Sequence, residues 1–265
     1  MNRVRLGAVG YLNARPLVYG LERSSNFSLR FDVPSECASR LHQGQVDVGL
    51  IPSIEYLRGQ GYRIVPGLAI ASRGAVASVA LYTTKPVADV RSIAADSSSR
   101  TSVALLRILC ARAFHIDPRI TVREPDLPTM LAGSDAALII GDKALFQTAG
   151  AGGRPPVEKI DLGQVWTKTT GLPFVYAFWA GATHLTGVHL DELRQARDEG
   201  VLHGEDIARE YVPESRERQH IASRYLRDNI RYDFGPDERA GLELFFRYAA
   251  DDGLVESAGT LRFYS

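Results

Sequence analysis

The first half of the chain alternates short apolar runs with amphipathic stretches, and this alternation restricts the fold more than any other feature. Strands that alternate with helices are typical of α/β folds, in which helices cover the faces of largely parallel sheets. The apolar runs predict strands at 4–9, 29–33, 46–51, 76–82, 120–123 and 136–140. The amphipathic stretches predict helices at 16–22, 36–43, 101–114 and 129–131.

From about residue 185 the sequence becomes rich in Arg, Asp and Glu at helical spacing, which is typical of helices with solvated faces. The last helix is predicted to begin near Pro236 and to end before Gly253, with an apolar stripe through 242–249. The run 149–156 is rich in Gly and Pro, and we interpret it as a short loop and not as a domain linker.

The charge balance argues against a nucleic-acid partner. The 265 residues include 31 basic and 31 acidic side chains, so the net charge is zero, although a local basic pocket is compatible with this balance. No apolar run approaches the roughly 18 residues of a membrane helix, and no secretory signal is evident. Cys37 and Cys110 lie in unrelated segments and are interpreted as free thiols. We expect a cytoplasmic protein, and a monomer and a homodimer both stay open.

Three predicted strand-to-helix junctions carry short polar side chains. They are GYLNARPL at 10–17, GLIPSIEY at 49–56 and DSSSRTS at 96–102. Such junctions present unpaired backbone N–H groups that bind carboxylate or phosphate, and in open α/β sheets they lie where ligands bind. Each junction by itself is equally consistent with simple helix capping. Three in one chain favour a site for a small anion.

Two further segments suggest the walls of such a site. Ser78 lies within the apolar alternation of 72–79, so its hydroxyl is either directed inward or an ordinary strand side chain. The stretches 161–166 and 170–179 are dense in aromatic residues, which either wall a pocket for a planar ring or belong to the core and a crossover strand.

Motifs for metals, nucleotides and hydrolytic nucleophiles are absent from the sequence. There is no phosphate loop, HExxH, zinc-type Cys/His spacing or GxSxG, and the segment 7–10 lacks the full GxGxxG. We therefore predict no metal and no cofactor. Four histidines are interpreted as residues on helix surfaces: His184, His189, His203 and His220.

The junction GYLNARPL, followed by DVGLIPS at 47–53 and TGLPFV at 170–175, resembles the chorismate dehydratase family of the futalosine route to menaquinone. The resemblance also includes 74–78, 98–102, Tyr225, Asn229 and Tyr232, and so spans nearly the whole chain. It implies a two-lobed α/β fold like that of type II periplasmic binding proteins, with mixed sheets flanked by helices and the ligand in the cleft between the lobes. The implied lobes are 1–82 with 178–265, and 83–177, joined by crossovers near 81–84 and 175–180, with closure by hinge motion.

The implied reaction removes water from chorismate and yields 3-[(1-carboxyvinyl)oxy]benzoate. A proton leaves the ring carbon that bears the enol ether, and hydroxide leaves the neighbouring carbon. Because the product ring is aromatic, the driving force lies in the substrate. The site needs only to hold two carboxylates, exclude water and help one proton and one hydroxyl to leave.

The resemblance leads to hypothetical roles for particular residues. Asn13 and Ser78 are the candidate catalytic residues, at the departing hydroxyl and the reacting carbons. Arg15 adds positive charge or faces solvent. The general base has three candidates, which are Glu55, Asp142 and a carboxylate of chorismate itself. The candidate substrate-binding residues are Tyr11, Arg15, Ser53, Ser98, Ser99, Thr101, Ser102, Thr170 and Gly171.

Three other readings compete with this one. A cytosolic binding or sensor protein would close its two lobes on a small anion in the same way but would not catalyse a reaction. The sibling enzyme that makes dihydroxynaphthoate from a cyclic futalosine is expected to carry an HPLPYF-like segment, which this chain lacks. A nucleotide-dependent enzyme is disfavoured by the missing phosphate loops.

Overall fold

A computed structural model describes residues 3–147 and 157–265; the loop predicted at 149–156 lies outside these described residues. In chain order the strands are β1 (Val4–Val9), β2 (Phe27–Asp32), β3 (Val48–Pro52), β4 (Arg63–Ile64), β5 (Ile70–Ser72), β6 (Val79–Thr83), β7 (Ser92–Asp96), β8 (Arg119–Arg123), β9 (Ala136–Ile140), β10 (Glu158–Asp161) and β11 (Phe174–Gly181).

The α-helices are α1 (Pro34–His42), α2 (Arg100–Leu109), α3 (Leu127–Gly133), α4 (Gly141–Leu145), α5 (Leu162–Thr170), α6 (Gly187–Leu202), α7 (Gly204–Tyr211), α8 (Arg216–Arg224) and α9 (Pro236–Asp251). Short 3₁₀ helices span Leu12–Val18, Leu21–Arg23, Ser53–Arg58 and Val87–Asp89, and π-helical turns span Cys110–Phe114 and Tyr225–Asn229. In this described part of the chain, no helix is both long enough and apolar enough to cross a membrane.

The strands form two mixed sheets. The first has the order β2-β1-β3-β11-β4, with β5 also paired to β11, and the second has the order β10-β6-β9-β7-β8. In the first sheet β1 is parallel to β2 and β3, whereas β11 is antiparallel to β3. In the second, β7 is parallel to β8 and β9, whereas β6 is antiparallel to β9. Helices flank both sheets, which confirms the predicted α/β fold class. We call the part built on the first sheet lobe 1 and the part built on the second lobe 2.

The chain crosses between the lobes twice. It leaves the first sheet after β5 and enters the second at β6, and it returns from α5 to the first sheet at β11. The crossings therefore lie at 73–78 and 171–173, whereas the predicted boundaries, 82/83 and 177/178, fall inside β6 and β11. Local apolar patterns do not show which sheet a strand joins, because its pairing partners lie far away in sequence.

The aromatic residues of the second half mostly pack in the core around β11 and α9. Trp166 and Phe174 are fully buried, and their rings lie edge to face with a centroid distance of 5.2 Å. Phe245 of α9 packs on Phe174 at 4.9 Å, so α9 covers β11 as the predicted apolar stripe requires. Of the two readings of this aromatic segment, the structure favours core and crossover strand for most of its residues.

Several predicted helices differ in type or extent from the observed ones. The predicted helix at 16–22 is replaced by the 3₁₀ turns Leu12–Val18 and Leu21–Arg23, since Pro16 lies inside the first of them and interrupts regular hydrogen bonding. The predicted helix at 101–114 is α2 followed by a π-helical turn. His189 and His220 lie on helices, His203 lies between α6 and α7, and His184 precedes α6.

Candidate active site

A cavity of about 60 Å³ lies between the lobes, at the ends of strands from both sheets. Its walls are largely apolar, with contributions from Val9, Ile70 and Ile140. A mainly apolar cleft with a few convergent polar groups is typical of small-molecule sites. The polar side chains in its lining are Tyr11, Asn13, Ser78, Ser99, Thr101, Ser102 and Tyr176.

Asn13 reaches the cavity from the 3₁₀ turn that follows β1. Its Oδ1 atom is buried and has no hydrogen-bond partner among the described residues. A buried acceptor without a partner is costly, and native proteins rarely keep one that a ligand or water does not satisfy. Asn13 therefore offers a ligand hydroxyl an acceptor that is already desolvated.

Ser78 lies directly before β6, lines the same cavity and is buried. Its Oγ atom accepts a hydrogen bond of 2.7 Å from the hydroxyl of Tyr225. Burial raises the pKa of Tyr225 above its ordinary value, so the phenol keeps its proton. Because the Ser78 oxygen already accepts this bond, its own proton is available to a bound ligand. The sequence resemblance included Tyr225 but gave it no role.

The junction before α2 supplies the hydroxyls of Ser99, Thr101 and Ser102 to the cavity. Ser99 caps α2, and its Oγ accepts from the Ser102 N–H at 3.2 Å. Thr101 Oγ1 accepts from the backbone N–H of Ile54 at 3.2 Å. The Ser99 hydroxyl thus keeps a proton to donate, whereas the Thr101 hydroxyl also lies 3.4 Å from Ser53 Oγ and shares its proton with that contact. Together with the N-terminus of α2 they suit a carboxylate.

Two predicted carboxylate-binding hydroxyls lie behind the cavity instead. Ser53 is fully buried, and its Oγ donates to the Val175 carbonyl at 2.8 Å, which fixes β11. Ser98 donates to the carboxylate of Asp96 at 2.6 Å and accepts from the Tyr11 hydroxyl at 3.2 Å. The residue type was suitable in both cases, but local packing directs these side chains away from the lining.

Arg15, Thr170 and Gly171 do not line the cavity either. The Arg15 guanidinium lies over the rings of Phe31 and Tyr211, at 4.5 and 5.2 Å. Thr170 donates to the Trp166 carbonyl, and Gly171 ends α5 in the left-handed conformation. Within the described part of the chain, no Lys or Arg lines the cavity. A bound anion would therefore depend on hydroxyl and backbone donors.

Glu55 forms a buried contact between the lobes and does not face the cavity. Its carboxylate receives Arg100 Nη1 of lobe 2 at 2.7 Å, His42 at 3.0 Å, and Arg58. Burial by itself raises the pKa of Glu55. Hydrogen bonding from His42 and the charges of Arg58 and Arg100 outweigh it and hold the pKa below its ordinary value. A carboxylate so paired is a weak base.

Asp142 forms a second contact between the lobes. Its Oδ1 accepts from the Leu12 N–H at 3.2 Å, and its Oδ2 accepts from the hydroxyl of Tyr211. Burial raises the pKa of Asp142, against a smaller lowering by these two donors. Asp142 is also absent from the lining of the cavity. Neither protein carboxylate that the sequence suggested as general base is therefore directed at the ligand space.

Residues 4–251 match a family described as menaquinone biosynthesis. A chorismate dehydratase from Thermus thermophilus is 31% identical over 255 residues, which cover 91% of this chain and 93% of that protein. Both similarities agree with the sequence resemblance.

Solved structures share the architecture at low sequence identity. A protein from Archaeoglobus fulgidus superposes with a TM-score of 0.72 at 15% identity, and covers 96% of this chain and 98% of its own. The periplasmic aliphatic sulphonate binding protein SsuA from Escherichia coli gives 0.62 at 16% identity, with 100% and 92% covered. The expected periplasmic-binding-protein-like fold is confirmed.

Proposed function

The chain belongs to the menaquinone-biosynthesis family, and from this premise we propose that it is a lyase that dehydrates chorismate. The product is 3-[(1-carboxyvinyl)oxy]benzoate, in the first step of the futalosine route. One C–H bond and one C–O bond of the ring break, and the proton and the hydroxide leave as water. No electron is gained or lost overall, so the reaction as written requires no redox cofactor.

The observation that carries this proposal is that Asn13 and Ser78 line the same cavity. Asn13 offers an unpartnered acceptor to the ring hydroxyl that leaves. Ser78, held by Tyr225, offers a proton to the same region. The acceptor orients the hydroxyl, and the preorganised donor stabilises the negative charge that develops on its oxygen as hydroxide departs. Removal of one such group typically costs about 10²–10³ in kcat.

We assign the carboxylates of chorismate to hydrogen-bond donors and not to Lys or Arg side chains. Ser99 keeps a free hydroxyl proton, and both Ser99 and Thr101 lie at the N-terminus of α2. A helix N-terminus carries roughly half a positive charge. This arrangement supports one carboxylate at α2, with the ring extending toward Asn13 and Ser78.

For the proton we propose the substrate as base. Glu55 and Asp142 are occupied by partners and lie outside the lining. A carboxylate of chorismate that is held beside the ring carbon can take the proton itself, and the protein then serves to orient it. The proposal further includes a cytoplasmic location, which the two buried, free cysteines favour.

A binding or sensor protein for a small anion is the second candidate. The similarity in fold to a sulphonate binding protein favours it, although a similarity at 16% identity concerns the fold alone. Both candidates predict that chorismate binds, and only the enzyme predicts that it is consumed.

The test is to mix the purified protein with chorismate and a chelator, without nucleotide, and to follow the products by chromatography. The enzyme reading predicts 3-[(1-carboxyvinyl)oxy]benzoate, and binding without turnover would favour the sensor. Asn13→Ala and Ser78→Ala are expected to lower kcat/KM by at least a hundredfold. Ser97→Ala is the matched control, because its hydroxyl bonds Glu124 outside the cavity. Wild-type kcat/KM in both cavity variants would refute the assigned site.

A further inference from the structure

The segment 73–78, where the chain first crosses between the lobes, is hydrogen-bonded along much of its length. The Gly74 N–H donates to Thr167 Oγ1 at 2.9 Å, and the Ala75 carbonyl accepts from the Asn229 amide at 2.9 Å. The Ser78 carbonyl accepts from the Gly141 N–H at 2.8 Å. A crossover held this firmly has a defined backbone, and Ser78 is its last residue.

Ala77, directly before Ser78, has φ of +64° and lies in the left-handed region. Residues other than glycine rarely adopt this conformation, because Cβ then crowds the backbone. Such a conformation persists where surrounding contacts impose it. At Ala77 those contacts are two charged side chains from β10, the neighbouring strand that leads into α5.

Asp161 and Lys159 hold the two peptide groups of Ala77. Asp161 Oδ2 accepts from the Ala77 N–H at 2.6 Å, and its Oδ1 accepts from the Val76 N–H at 3.1 Å. Lys159 Nζ donates to the Ala77 carbonyl at 3.0 Å and to the Ala144 carbonyl at 2.8 Å. The donor and acceptor of this one residue are thus both fixed by charge-assisted bonds.

We propose that Asp161 and Lys159 are positioning residues for Ser78, because they impose the left-handed conformation of Ala77 that directs the Ser78 hydroxyl toward Tyr225 and the cavity. Rotation of Ala77 to an ordinary negative φ would turn the following side chain away from Tyr225. Neither charged side chain lines the cavity, so both act through the backbone. The expected effect on kcat rests on the proposed function, whereas the effect on the conformation of Ala77 does not.

Asp161 also caps α5, since its Oδ1 accepts from the Gln164 N–H at 2.9 Å. A purely structural cap would contribute to stability and not to the geometry of Ser78, so the experiment must separate the two roles. Asp161→Asn does so. Two N–H groups converge on Oδ1, and the amide oxygen is expected to take that place. The amide NH₂ group then faces the Ala77 N–H, so the cap survives and the contact with Ala77 is lost.

The experiment measures kcat and KM for chorismate in Asp161→Asn and in its matched control, Asp126→Asn. Asp126 caps α3 by accepting from Thr129 N–H at 3.1 Å, and it lies outside the cavity. We expect kcat to fall at least tenfold in Asp161→Asn with KM within threefold of wild type. Asp126→Asn should stay within twofold in both constants. Adding Ala77→Gly to Asp161→Asn should recover kcat at least threefold, because glycine adopts positive φ without a steric penalty.

Lys159→Met provides a second variant, which leaves the N-cap of α5 in place. It removes the donor to the Ala77 carbonyl, and the same loss of kcat is expected, which keeps the inference testable if Asp161→Asn fails to fold. Wild-type kcat in either folded variant would overturn the inference.

Hydrogen exchange of the peptide 74–79 provides a readout that does not depend on activity. Exchange should accelerate in Asp161→Asn and Lys159→Met and stay unchanged in Asp126→Asn. If the wild-type protein does not convert chorismate, the proposed function fails while this measurement still decides the positioning role. Unchanged exchange in both β10 variants would refute that role, whether or not the wild type is active.

Discussion

The contact between Arg100 and Glu55 is expected to set the free energy of lobe closure. Arg100 of lobe 2 donates to the buried carboxylate of Glu55 at 2.7 Å and to Ser39 Oγ at 3.0 Å, both in lobe 1. These two bonds exist only while the lobes are together. Arg100→Met therefore removes interactions of the closed state and leaves the fold of each lobe unchanged.

The size of the effect follows from the burial of the two partners. A hydrogen bond to a charged group contributes about 1.5–3 kcal/mol. The Glu55 side chain is fully buried, but Arg100 is 35% exposed and Glu55 keeps Arg58 and His42, so the lower end applies. A loss of about 1.5 kcal/mol shifts the closure equilibrium roughly tenfold toward the open state. KM for chorismate should rise about tenfold, while saturating substrate restores closure and keeps kcat within about threefold.

The matched control is Arg58→Met. Arg58 bonds the same carboxylate, but from the same lobe and three residues along the chain, so its loss affects stability and not closure. Steady-state kinetics and the radius of gyration from small-angle scattering are measured for both variants. The ligand-free Arg100→Met protein should be more expanded than Arg58→Met. An unchanged KM in Arg100→Met, or an equal rise in both variants, would refute the closure argument.

Three more predictions concern single groups. Tyr225→Phe removes the donor to Ser78, worth about 1 kcal/mol, and steady-state kinetics should give a kcat about fivefold lower; an unchanged kcat would contradict the role of that bond. Gly141→Ala places Cβ 2.8 Å from a Tyr11 ring carbon at a φ of +63°, so urea unfolding should show about 2 kcal/mol of destabilisation, and none would contradict the contact. Glu55 has a lowered pKa in the folded state, so its contribution to stability is present above about pH 4.3 and is lost as the pH falls through the folded value. Thermal unfolding from pH 6 to 3 should show this loss in the wild type and a flatter profile in Glu55→Gln; equal profiles would contradict it.

Much of the fold could be predicted from local patterns. The predicted strands at 4–9 and 136–140 coincide with β1 and β9, and the predicted last helix corresponds to α9. The strand predicted at 76–82 is instead observed at 79–83. Val76 and Ala77 are apolar like the strand that follows, and an apolar pattern contains no sign of the left-handed turn at Ala77. The turn depends on Asp161, which is 84 residues away in sequence.

The candidate site, too, could be predicted from local patterns only in part. Strand-to-helix junctions predicted where the ligand space would form, because the ends of strands in both sheets meet at the cleft. Packing decides which hydroxyl faces that space. The junction pattern predicted both Ser53 and Ser99 as substrate-binding residues and did not distinguish between them. Ser53 bonds the Val175 carbonyl across 122 residues of sequence, and this contact turns it away from the cavity. Tyr225 is 147 residues from Ser78, so no local pattern pairs them.

The positions of Glu55 and Asp142 explain how such a cleft suits a substrate with two carboxylates. A protein carboxylate facing the cavity would repel both of them, and within the described lining there is no Lys or Arg to offset that repulsion. The chain instead places both acidic groups behind the walls, where Arg100 and Tyr211 bond them and where they join the lobes. The same acidic residues that sequence reasoning offers as bases thus favour closure. Since the aromatic product supplies the driving force, a cleft that closes, excludes water and leaves the proton to a carboxylate of the substrate is sufficient for the proposed reaction.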